Sequence, residues 1–163
     1  MIRFNDPFSN LSNASLNKAA VVNTQIAIMK SIISELGSGS ESDVESTIAT
    51  QIITRTGDET SLGDTTWTKN AITAISSSSD DFSPSSEQLV SLSAGISAFM
   101  QKINANDSSK SHSHFAKAGM TELKDLMKKV MDGTADSAEI DKLTFNTIAW
   151  INENTSWDGG TIT

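Results

Sequence analysis

The chain has 163 residues, with 12 Lys and Arg against 20 Asp and Glu, a formal net charge of −8 and no cysteine. That balance speaks against phosphate backbones and anionic membrane surfaces, which need clustered Lys and Arg, and it suits a basic partner. The missing cysteine excludes disulfides and thiolate metal sites.

Apolar residues make up 37% of the chain, below the roughly 45–50% of an ordinary globular domain. A single domain with a lean core is expected. Residues 1–12 read as a disordered tail, since Pro7 stops a helix there. Met1-Ile2-Arg3-Phe4-Asn5-Asp6-Pro7-Phe8 has no basic stretch followed by an apolar one, so no Sec-type signal is expected. Residues 13–155 form the expected helical domain, and 156–163 a C-terminal tail or short strand.

The first helix is predicted from Asn13 to Leu36, closed by Gly37 as a left-handed cap residue. Its seam is Ala19, Val22, Ile26, Met29, Ile33 and Leu36. These alternate steps of three and four, the spacing of a coiled-coil heptad. Its outer face reads as mild, with Asn17, Lys18, Gln25, Lys30 and Ser34. Gly37-Ser38-Gly39-Ser40 is a turn. Ser42 and Glu45 form a capping box for a second helix carrying Val44, Ile48 and Ile52.

Residues 56–65 read as loop. Trp67, Ala71, Ala74 and Ile75 make a short helical stripe. Ser83 followed by Pro84 predicts the start of a helix running to about Asn104. Its heptad is Leu89, Leu92, Ile96, Phe99 and Ile103. A stripe of three heptads is more often the buried face of a bundle helix than a partner seam. Ile26, Ile33, Leu92, Ile96 and Phe99 are therefore expected among the most buried positions.

Asn106 to Ser113 is polar and unpatterned. A helix from Phe115 to Met131 buries Phe115, Met120 or Leu123, Leu126, Met127 and Val130. Gly133 stops it. Asp136 with Glu139 caps the last helix, which carries Ile140, Leu143, Ile148, Trp150 and Ile151. The fold class expected is all-α, a helical bundle of five to six helices with Ser-rich loops.

No motif carries chemistry. His112 and His114 read as solvated loop histidines without a third ligand. Asp132 to Glu139 lacks the Gly and Glu that a calcium loop requires. Gly37-Ser38-Gly39-Ser40 follows a helix and no Lys follows it, so it is no phosphate loop. Catalytic, metal-binding and cofactor-binding residues are expected to be none. No cofactor is expected, no nucleic acid and no membrane insertion, because no apolar run approaches about 18 residues.

The C-terminal third contains Leu126-Met127-Lys128-Lys129-Val130-Met131-Asp132-Gly133, a capped turn, Ile148-Ala149-Trp150-Ile151-Asn152-Glu153-Asn154, then Asp158-Gly159-Gly160-Thr161-Ile162. This order resembles the filament and needle-tip translocator proteins of type III secretion systems. The resemblance implies a non-enzymatic, exported interaction protein. Such proteins usually end in a long amphipathic helix, which does not follow Gly160 here. That leaves a truncated fragment or an accidental likeness as the two alternatives.

The resulting expectation is a non-enzymatic helical interaction or structural protein, secreted without a cleaved signal. It pairs with itself or a protein partner through Ala19, Val22, Ile26, Met29, Ile33 and Leu36. Its location is secreted, virion or extracellular, and a cytoplasmic one also fits. The rivals are a phage or viral structural subunit and an acidic immunity or inhibitor protein that binds a basic partner. An enzyme comes last.

Overall fold

A computed structural model describes residues 14–37, 41–53, 62–77, 80–105 and 112–154. The sequence readings of a tail at 1–12, of the turn at 38–40, of most of the 56–65 loop, of the segment 106–111 and of the element around Trp157 fall outside them. The described residues are helical and contain no strand, an all-α bundle.

α1 (Ala14–Glu35) is closed at Gly37, whose φ of +93° only glycine adopts without strain and whose N–H donates to the Ser34 carbonyl at 3.3 Å. α2 (Glu41–Ile53) opens at Glu41, one residue ahead of the Ser42 of the predicted capping box, and buries Val44 and Ile48. α3 (Thr65–Ser76) is set by Asp64, whose Oδ1 accepts the Trp67 N–H at 2.7 Å. It buries Trp67, Ala71, Ile72 and Ile75, and the Trp67 indole donates to the Gln51 carbonyl of α2 at 3.2 Å.

α4 (Ser86–Ala105) starts later than Ser83-Pro84 suggests. The capping box is Ser85 with Gln88: the Ser85 N–H donates to Gln88 Oε1 at 2.7 Å, and the Gln88 N–H donates to Ser85 Oγ at 3.2 Å. This satisfies two helix-end donors reciprocally. The Gln88 amide also donates to the Met131 carbonyl at 2.9 Å, so the start of α4 is tied to the end of a later helix.

That later helix is one rod with a defect. α5 (His112–Ala118) passes into a π turn at Gly119–Leu123 and on into α6 (Lys124–Met131). At Gly119 the rod meets α1. A Cβ on Gly119 would lie 2.7 Å from Ile28 Cδ1, so the close approach requires glycine. The rod ends in a Schellman motif: Gly133 has φ +69°, its N–H donates to the Val130 carbonyl, and the Thr134 N–H donates to the Lys129 carbonyl at 2.9 Å.

The last predicted helix is two, α7 (Ser137–Phe145) and α8 (Thr147–Asn154). Asp136 caps α7, accepting the Ala138 N–H at 2.9 Å. Asn146, at φ −145° and ψ 69°, breaks the run, and its Oδ1 accepts the Ala149 N–H at 3.2 Å to cap α8. Counting α5, the π turn and α6 as one rod, the described residues form seven rods rather than five or six.

α1 and α4 are the central pair. α4 packs against α3, α6, α7 and α8, and α1 packs against α2, α5, the π turn and α6. Leu92, Ile96, Phe99 and Ile103 are all buried on α4, and Phe99 meets Phe115 edge-on at 6.1 Å. The lean composition is accommodated by hydroxyls that bond to the backbone one turn back. Thr24, Thr68, Ser93 and Thr147 are buried, and each donates to the carbonyl four residues back at 2.7–3.0 Å. Satisfied in this way, a hydroxyl fills core volume without the penalty of an unmet hydrogen bond.

Candidate interaction surface

The structure does not keep the predicted α1 seam together. Met29 and Ile33 are fully buried among core residues, Ala19 is exposed, and Val22, Ile26 and Leu36 are half-buried. Ile26, which the spacing placed among the most buried positions, is thus only half-buried. The inward face of α1 is instead Ala20, Val21, Thr24, Gln25, Ile28, Met29, Ile32 and Ile33. Adjacent pairs repeat every four residues, the footprint of a helix enclosed by neighbours on several sides.

Two polar residues hid that face in the sequence. Thr24 donates to the Ala20 carbonyl, and Gln25 donates to the Met100 carbonyl of α4 at 2.9 Å. Gln25 therefore lies in the core and not on the mild outer face.

His114 is also displaced from its expected setting. It lies in α5, is 6% exposed, and its ring stands edge-on to Phe115 at 6.3 Å. The side chain of His112 lies outside the described residues. Among the described residues no group of three or more His, Asp or Glu is placed to hold a metal ion, and no helix is long and apolar enough to cross a membrane.

The open side of α1 carries a feature the heptad reading missed. Ile28 meets Gly119, and Glu35 meets Lys124 and Lys128, so α1 and the π–α6 rod ascend in the same direction side by side. Between them lies an open groove of about 400 Å³, lined by Ala27, Lys30, Ser31, Ser34, Glu35, Met120 and Lys124. Ala27, Ser31 and Ser34 follow an i, i+4, i+7 spacing, so one stripe of small side chains forms the α1 wall. Small residues let a further helix approach closely. Met120, which the sequence offered as a core residue, faces outward at 39% exposure, while Leu123 takes the core position.

The polar groups along this groove are unequally satisfied. Lys30 pairs with Glu45 of α2 at 2.9 Å. Glu35 holds Lys128 at 3.2 Å and Lys124 only at 3.9 Å. The Ser34 hydroxyl is buried and has no hydrogen-bond partner among the described residues. The one legible signal was the presence of Lys30 and Ser34 on the polar side of α1. Met120 and Lys124 could not be assigned to the same place before the fold was known.

A second hollow, about 320 Å³, lies over Leu126 and Trp150 and is rimmed by Glu122, Asp125, Lys128, Lys129, Asp132 and Glu139. Its rim mixes four carboxylates with two lysines. Phe145, at the corner between α7 and α8, is 89% exposed. No family model, curated protein or solved structure matches the chain.

Proposed function

We propose that this is a non-enzymatic helical interaction protein that works by helix pairing, exported without a cleaved signal in the manner of a secretion filament or tip protein. The observation that carries the pairing is the groove beside α1. It offers a stripe of small residues, an exposed Met120 and flanking lysines, the features of a surface that takes the side of another helix. The heptad seam of α1 cannot serve intact, because freeing Met29 and Ile33 would open the core. A phage or viral subunit is the alternative that uses the same groove between copies. An acidic inhibitor of a basic partner would instead use surface carboxylates.

The test is size exclusion with light scattering over a concentration series, on the wild type and on Ser31→Arg, with circular dichroism as a control for folding. The groove reading expects Ser31→Arg to stay folded and to lose whatever association the wild type shows with itself or with an added helical peptide. Association that persists in a folded Ser31→Arg variant refutes it.

A further inference from the structure

We infer that Met120 is a site of reversible oxidation by hydroperoxides, one that accepts oxygen without unfolding the bundle. The inference holds whatever occupies the groove. The chain has six methionines and no cysteine, so thioethers are its only sulfur and no thiol of its own competes for the oxidant. The fold sorts the described methionines sharply. Met29, Met100 and Met127 are fully buried, Met131 is half-buried against the core, and Met120 is 39% exposed. Met120 also lines the open groove beside α1, where a small oxidant can enter and water can leave.

The position is built into the fold rather than left by a frayed end. Met120 stands in the π turn between Gly119 and Leu123, which are both buried. Gly119 is pressed against Ile28 of α1, so the backbone next to Met120 is anchored. The turn gives the core position to Leu123 and leaves the thioether side chain outside. Met127 has the opposite setting. Its terminal methyl lies 2.9 Å from where a Cβ on Gly95 of α4 would stand, and Leu143 closes the same junction.

The chemistry is a single oxygen transfer. A lone pair of the Met120 sulfur attacks one peroxide oxygen, an S–O bond forms and the O–O bond breaks. The attacked oxygen gives up its proton to the leaving one, which departs as water or, from an organic hydroperoxide, as an alcohol. Sulfur is oxidised by two electrons and the peroxide is reduced. The sulfoxide is polar and is returned to the thioether by dedicated reductases. In the open groove water solvates the new oxygen, and Lys124, which lines the same groove, supplies an ammonium donor. At Met29 or Met100 the same oxygen would be an unmet acceptor in the core. Met120 is the one long apolar side chain among the described residues lining the groove, so its oxidation exchanges the groove's apolar character for a polar one.

The experiment treats the full chain with dilute hydrogen peroxide and follows each methionine by peptide mass spectrometry, with circular dichroism on the same samples. Met120 is expected to oxidise at least about tenfold faster than Met29, Met100 and Met127, because buried thioethers must wait for the bundle to open. It is also expected to outpace Met131. In denaturant these rates should converge. The protein oxidised at Met120 is expected to keep its helical signal, and Met120→Leu to remove the fast oxidation and nothing else. A pair of methionine sulfoxide reductases, one for each sulfoxide epimer, with dithiothreitol should restore the original mass. Oxidation of a buried methionine or of Met131 as fast as Met120 in the folded chain overturns the inference. Loss of helix when Met120 alone is oxidised, or a sulfoxide that the reductases cannot remove from the folded protein, overturns it as well.

Discussion

Ile96 is fully buried on α4, and replacing it by alanine is expected to cost about 2–5 kcal/mol, since it deletes core contacts and leaves a cavity. Chemical denaturation of the variant measures this directly. Gly119 tests close approach rather than burial. Gly119→Ala pushes a methyl against Ile28 and is expected to destabilise by about 1–3 kcal/mol. In an Ile28→Ala background the same change should cost much less, because the obstructing atoms are gone. Additive costs in the double-mutant cycle would place the strain elsewhere. Gln25 is the converse case. Its Nε2 donates to the Met100 carbonyl while its Oε1 is buried without a hydrogen-bond partner among the described residues, so Gln25→Met loses one bond and removes one unmet acceptor, and is expected to change stability by less than about 1 kcal/mol. The burial of Ile96 was legible from its neighbours Leu92 and Phe99 at heptad spacing. That of Gln25 was not, because what admits an amide to a core is a carbonyl 75 positions away.

Helix ends show a similar division at the scale of the element. Gly37 and Gly133 both stop their helices with positive φ, as expected for glycine placed after a periodic run. A methyl group added at Gly133 would meet no atom within 4 Å, so Gly133→Ala isolates backbone strain and is expected to cost about 1–2 kcal/mol in thermal or chemical unfolding. The break at Asn146 was not legible, because Ile140, Leu143, Ile148 and Ile151 read as one apolar run. Asn146→Ala removes the cap of α8 and is expected to cost about 0.5–2 kcal/mol. A value near zero would mean that α8 is held by the packing of Trp150 and Ile151 alone. The placement of Met120 follows from the π turn, whose extra residue rotates everything before it relative to α6.

For the molecule as a whole, α1 is a central support and not a detachable arm. Ile33 is fully buried and Ile26 half-buried against the core. The double variant Ile26→Asp with Ile33→Asp is therefore expected to unfold the chain, because a carboxylate at Ile33 cannot be solvated there. Loss of the helical circular dichroism signal is the readout. A folded double variant would show that α1 can leave the bundle. Removal of divalent ions by a chelator is expected to leave the melting temperature unchanged, since the described residues assemble no metal-ligating cluster. A fall of many degrees would overturn that.

The sequence by itself determined that the chain is all-α, that α4 turns Leu92, Ile96, Phe99 and Ile103 inward, and where two glycines end helices. Periodicity and capping are local properties, carried by residues within one or two turns of each other. Only the tertiary structure decided which side of α1 faces the core, because its inner face depends on neighbours around it and on hydroxyl and amide groups satisfied by particular carbonyls. Only the tertiary structure likewise brought Ala27, Ser31 and Ser34 beside Met120 and Lys124. That adjacency rests on Gly119 letting two rods meet at Ile28, a contact between residues 91 positions apart, and no spacing along the chain encodes it.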